Sequence, residues 1–93
     1  MALVAEIVTV ASAGTAVRSA SPTVRAKRIR IQSDPSNAGT VNIEDASGNV
    51  VQILATSEAF ITEASAGHDL LTLGDYYIDA ANSADHVYFS YSN

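Results

Sequence analysis

The sequence predicts an all-β fold: a small antiparallel β-sandwich, or a jelly-roll-like barrel, of seven to eight short strands. Three observations carry this expectation. Apolar and polar residues alternate with a period of two through most of the chain. Clusters of Gly, Asn, Asp, Ser and Pro break the alternation every ~8–12 residues. No window of helical length places apolar residues at i, i+3, i+4 and i+7.

The elements follow in order. Residues 3–11, LVAEIVTVA, read as a strand with both faces partly covered: Val4, Val8 and Val10 share a face with Glu6, and Leu3, Ile7 and Thr9 share the other. Residues 12–22, SAGTAVRSASP, are small and polar, and fit a loop or flexible arm. Together, residues 1–22 predict an N-terminal strand plus an arm that contacts neighbouring subunits. Residues 23–33 form the next strand, and DPSNAGT (34–40) the next turn. Residues 40–45 and 49–54, joined through Ser47-Gly48-Asn49, are the clearest hairpin. EAFITE (58–63) alternates again, and ASAGHD (64–69) is a turn. LLTLG (70–74) and DYYIDA (75–80) are short strands with a kink at Gly74. NSAD (82–85) turns the chain, and HVYFSYS (86–92) is the last strand.

Composition bounds the rest. The chain has 93 residues, enough for one domain spanning 1–93. A chain of this size buries roughly 60–65% of its unfolded surface. It has no cysteine, so neither disulfides nor thiolate metal sites add stability. Sixteen residues are alanine, which buries little area; the core must come from nine Val, seven Ile, five Leu, two Phe and some of the Tyr. A core this thin predicts oligomerisation, so a homo-oligomer is expected; a trimer is compatible. The net charge of −5 argues against a general nucleic-acid binder. The first residues lack a basic segment, and Glu6 interrupts their apolar run, so no signal peptide is expected. No stretch approaches the ~18 apolar residues of a membrane-spanning helix.

Catalytic chemistry finds no support, and the expectation is that the protein is not an enzyme. There is no G-x-S-x-G elbow. His68 and His86 each adjoin an aspartate (Asp69, Asp85), but neighbours on a strand point to opposite faces. The turns at Asp34 and Asp45 offer oxygen ligands without the terminal glutamate of a calcium loop, and such residues more often serve the turn backbone. No metal or cofactor is expected. Tyr76, Tyr77, Tyr88, Phe89 and Tyr91 come with acids rather than the bases that a base-stacking groove needs.

One feature is sharper. VRAKRIRIQ (24–32) holds four of the five positive charges: Arg25, Lys27, Arg28 and Arg30; the fifth is Arg18. Strict alternation would mix apolar and charged residues on both faces. A β-bulge near Lys27-Arg28 would sort them, placing Val24, Ala26, Ile29 and Ile31 on one face and Arg25, Arg28, Arg30 and Gln32 on the other. The alternative is an unbulged strand that passes from one covered environment to another; both readings leave a cationic stripe. Nine of the ten acids lie after residue 31. The stripe therefore pairs with the chain's own Glu44, Glu58 or Glu63, with the acidic surface of another subunit, or, least in keeping with the net charge, with nucleic acid. Arg18, Arg25, Arg28 and Arg30 are the candidate subunit-interface residues.

The order of segments AKRIRIQSDPSNAGTVNIED, SEAFITE and DLLTLGDYYIDAANSADHVYFSYS, from about Ala26 to Tyr91, resembles small virion structural proteins of tailed bacteriophages. Those chains share an A-K-x-I-x-I-Q strand, a D-P-S-N-x-G turn and a final V-x-F-x-Y strand. The sequence departs from them at Ala55-Thr56-Ser57-Glu58-Ala59-Phe60, where they often have Pro-Gly before a Glu-Ser-Phe segment, and at Glu44-Asp45, where they often have Gly-Asp. The resemblance implies a non-enzymatic virion component, foremost a capsid decoration (cement) protein on the outside of the head. Its partners would be the major capsid protein or other virion subunits, with no membrane and no direct nucleic-acid contact. A tail or head–tail connector part, or a carbohydrate-binding sandwich using Tyr76, Tyr77 and Tyr88, are the alternatives.

Overall fold

A computed structural model describes residues 3–64 and 70–92. The turn expected at 64–69, with His68 and Asp69, lies almost entirely outside the described residues. The strands are β1 (Leu3–Thr9), β2 (Val17–Arg18), β3 (Arg25–Ala26), β4 (Arg28–Ser33), β5 (Val41–Glu44), β6 (Val50–Leu54), β7 (Ala59–Glu63), β8 (Leu71–Thr72), β9 (Tyr77–Ala80) and β10 (His86–Ser92). A single 3-10 turn, Leu73–Asp75, sits between β8 and β9.

The pairing is nested. β1 pairs with β10, β2 with β9, β3 with β8, β4 with β7, and β5 with β6, all antiparallel. The chain is thus one long two-stranded ribbon whose tip is the β5–β6 hairpin. The ribbon curls on itself, so that β10 also pairs with β4 and β9 with β5. The result is two four-stranded sheets, β1-β10-β4-β7 and β2-β9-β5-β6, with β3–β8 as a short ladder of its own. This is the strand order of an eight-stranded jelly roll, one of the two all-β forms the sequence predicts.

The alternation explains which face goes inward. Ile29 and Ile31 of β4, Val87, Phe89 and Tyr91 of β10, and Val8 of β1 project from the first sheet into the core. Val41 and Ile43 of β5, Leu54 of β6, and Ile78 and Ala80 of β9 meet them from the second. At roughly 1.5–3 kcal/mol per buried large side chain, these residues supply most of the folding drive.

Two expectations change in detail. Residues 12–22 are not a loose arm but lie against their own domain. β2 within them pairs with Tyr77 and Ile78, the Gly14 amide donates to Asp79 Oδ1 (2.9 Å), and Ser19 Oγ and the Ala20 amide donate to the Glu6 carboxylate. Glu6, which alternation points inward, is the partner that makes this polar segment adhere. At Gly74 the chain makes a 3-10 turn, because its backbone passes against Pro22: the Gly74 amide donates to the Pro22 carbonyl (2.9 Å), and a Cβ there would lie 2.4 Å from that oxygen.

Candidate interaction surface

The basic stripe begins with a bulge, as the sequence predicts. Ala26 and Ile29 are both fully buried although three positions apart, while Arg25, Lys27 and Arg28 are exposed and Arg30 half-buried. The backbone of Lys27 absorbs the extra residue: its amide donates to the Ser92 carbonyl and its carbonyl accepts from the Ala64 amide, both at 2.8 Å. One residue spent in this way turns every charge of β4 to the outside.

Register then builds the outer face of the first sheet in rows. Ser92, Arg28 and Glu63 lie side by side; next come Ala5, Ser90, Arg30 and Ile61; then Ile7, Tyr88, Gln32 and Ala59. The middle is small and polar, so the two arginines stand above short neighbours. Between them is a shallow depression of about 40 Å³ lined by Arg28, Arg30, Ser90, Tyr91 and Ser92. Guanidinium groups beside serine hydroxyls suit a carboxylate.

The two arginines differ in their partners. Arg28 Nε lies 3.2 Å from Glu63 Oε1, with both side chains more than half exposed, a pair worth ~0–1 kcal/mol. Arg30 donates instead to the neutral Gln32 Oε1 (2.8 Å), and Gln32 Nε2 is itself held by the Ser57 carbonyl (3.1 Å). Among the described residues, no carboxylate lies within ion-pair distance of Arg30, Arg25 or Lys27. Arg18 is elsewhere: it lies on the outer face of the second sheet, 5.6 Å from the centre of the Tyr77 ring. The four candidate arginines therefore do not form one patch; Arg28 and Arg30 do.

A second polar cluster closes one end of the same sheet. Asp34 Oδ1 accepts from the Ser36 amide (2.7 Å) and hydroxyl (2.6 Å), and Oδ2 from the Tyr88 hydroxyl and His86 Nε2 (2.8 Å). The Ser36 and Tyr88 hydroxyls and the Ser36 amide, outweighing burial and joined by His86, hold the Asp34 carboxyl well below the usual carboxylate range. Asn37 bridges Ser33 Oγ and both backbone groups of His86, and Asp85 accepts from the Ala38 and Gly39 amides. The sequence offered no signal for the His86–Asp34 pair, because the partners are far apart in the chain. The arrangement is not a nucleophilic triad: Ser36 donates to the aspartate, not to the imidazole. At the other candidate turn, Asp45 accepts from the Ser47 and Asn49 amides (both 2.9 Å), so each aspartate serves its own turn. Among the described residues, no three His, Asp or Glu side chains group as a metal site.

The three tyrosines of the carbohydrate reading do not share a surface. Tyr76 is half-buried, packed on the core and on Phe60; Tyr77 lies on one outer face and Tyr88 on the other. Burial, chiefly, raises the Tyr76 hydroxyl above its ordinary pKa. Compared with known proteins, the chain matches no protein-family model and no curated protein sequence.

Proposed function

We propose that this protein is a non-enzymatic virion structural protein, a capsid decoration protein that binds and stabilises an assembled bacteriophage head. The observation that carries the reading is the Arg28–Arg30 face. A chain of net charge −5 sets two adjacent arginines above a flat floor of Ser90, Ser92 and Ala5, and orients Arg30 through Gln32 rather than neutralising it. That leaves the Arg30 charge free of any carboxylate among the described residues, which is useful for meeting carboxylates of another subunit. The jelly roll supports the same setting, since it recurs in viral capsid proteins, although it also serves lectins. The dispersal of Tyr76, Tyr77 and Tyr88 speaks against the lectin use.

The mechanism is passive. A protein that binds only the assembled lattice stabilises it by mass action. Many copies on one particle multiply the effect through avidity. The test is to mix the purified protein with emptied heads that lack it and to image the particles. Density in a regular array over the head, and heads that resist heat better, are expected. A ring or tube of copies at the tail would assign it to the connector or tail instead, and a monomer that binds no particle would remove the reading.

A further inference from the structure

The two large sheets end in four edges, and sheets protect their edges with short strands, charges or covering segments. Three of the four show one of these; the fourth, β6, shows only a bulge, which also protects an edge and lies at Val51. β2 is two residues long and carries Arg18. β1 holds the Glu6 carboxylate, and the segment at Ser19-Ala20 is bonded to it. β7 is bracketed by Glu58 and Glu63. The fourth, β6, has none of these charges. Residues 46–57 contain no charged side chain in a chain with ten acids. Val50, Val51 and Ile53 are each about half exposed (50%, 53% and 56%), and Gln52 between them is exposed too. Among the described residues, β6 pairs on one side only, with β5, through a register shift that leaves Val51 without an opposite residue.

We propose that β6 is a docking edge for a second copy of this chain, the two β6 strands pairing antiparallel about a two-fold axis that falls within residues 51–53. Charge selects this occupant. Two copies of a net-negative protein repel, and their contact must avoid apposed carboxylates. Antiparallel pairing of VVQIL with itself opposes only valine, isoleucine, leucine and glutamine, whereas β7 would carry Glu58 and Glu63 of both copies into the contact. Ile61 of the adjoining β7 is 47% exposed and extends the apolar strip. Such a contact is isologous and closes at two copies. It does not depend on the capsid reading, and β6 itself lies in the other sheet from Arg28 and Arg30, with Ile61 beside Arg30 the point where the two surfaces meet.

The absence of cysteine makes the test clean. Single cysteines are placed in turn at residues 50 to 54, with Ile7→Cys as an exposed control, and oxidised under mild conditions. Cross-strand Cα distances of ~4.5–5.5 Å suit a disulfide. The expected result is a covalent dimer whose rate of formation peaks at one position within 51–53 and exceeds the control roughly tenfold through effective concentration. The unmodified protein should sediment as a dimer, and Val51→Lys with Ile53→Lys should sediment as a folded monomer with an unchanged circular dichroism spectrum. A monomeric unmodified protein, or equal crosslinking at Ile7→Cys, overturns the proposal. So does a β6 whose amides gain exchange protection only when heads are added, since its occupant is then a foreign strand.

Discussion

His86 Nε2 lies 2.8 Å from Asp34 Oδ2, joining two residues separated by 52 positions. Their contact fixes the end of the last strand to the turn that follows β4. Tyr88, two positions further along β10, donates to the same oxygen, and its ring meets that of His86 edge-on at 5.5 Å between centres. One carboxylate thus gathers two hydroxyls, of Ser36 and Tyr88, the Ser36 amide and the His86 imidazole.

The first prediction is acid sensitivity. Asp34 titrates lower in the folded protein than in the unfolded chain, where its pKa is ~3.9. Its stabilising contribution is full above that unfolded value and is lost as pH falls towards the depressed folded one. Melting temperature should therefore drop between about pH 5 and pH 2, and Asp34→Asn should show a lower but flatter acid limb. Equal slopes in the two proteins would show that other carboxylates set the acid limit.

Tyr88 gives the alkaline counterpart. Its hydroxyl is raised by the bond it donates to Asp34, then by burial and by the charge of that carboxylate. A raised folded pKa means that the bond contributes fully below the unfolded value of ~10 and is lost as pH rises through the folded one. Tyr88→Phe should melt lower than the unmodified protein near neutrality, with the gap closing in strong base; a gap that persists there counts against the bond.

Glu44 runs in the opposite sense to Asp34. Burial, then Asp79 and Asp45, raise its pKa. Its protonated form is therefore favoured by folding, and stability is lost as pH rises through the raised value. At neutral pH the charge opposes folding, and Glu44→Gln should raise the melting temperature. No change, or a fall, would show that Glu44 finds compensation in an interaction beyond its own sheet.

Arg28→Glu with Arg30→Glu should leave the fold intact at a cost of about 1–2 kcal/mol, since it sets an acid opposite Glu63 and removes the Arg30–Gln32 bond. Head binding should weaken strongly, and binding of the unmodified protein should fall with added salt. The swap Arg28→Glu with Glu63→Arg restores an internal pair but reverses the sign seen by a partner. Binding restored by the swap would mean that the pair matters only within the chain.

Gly74→Ala should cost ~1–3 kcal/mol, because its Cβ would press on the Pro22 backbone carbonyl, which cannot swing aside. Gly39→Ala meets the Asn82 amide at a similar 2.5 Å, but that is the end of a side chain and can rotate away. Urea unfolding of both variants checks the contrast: a larger loss for Gly39→Ala would refute it.

Much of this architecture was legible in the residues. Val41 and Ile43 alternate cleanly with Asn42 and Glu44, so the hairpin and its buried face follow directly. The bulge was legible as one of two readings, because a single extra residue within Ala26-Lys27-Arg28-Ile29 sorts apolar from charged, and the burial of both Ala26 and Ile29 decides for it. What escaped was long-range. Nothing near Asp34 announces His86, and nothing in Tyr76-Tyr77 says that one ring packs on Phe60 while the next turns outward beside Arg18. The polar stretch 12–22 read as an arm because its anchors, Glu6 and Asp79, lie in other segments. The bare edge of β6 was invisible for the same reason: VVQIL reads as the second strand of a hairpin, and only the topology shows that it is outermost.

The nested ribbon also orders events in time. Its tip, the β5–β6 hairpin, joins segments only a turn apart, whereas β10 must find both β1 and β4 to complete the first sheet. Loops that long close late, so folding should zip from the hairpin outward and proceed slowly for so small a domain. β10, in the middle of the first sheet, is therefore the last of that sheet's four strands to be synthesised. Until it is made, a growing chain holds β1 without its partner and β4 matched on its β7 side alone, so that both present open edges.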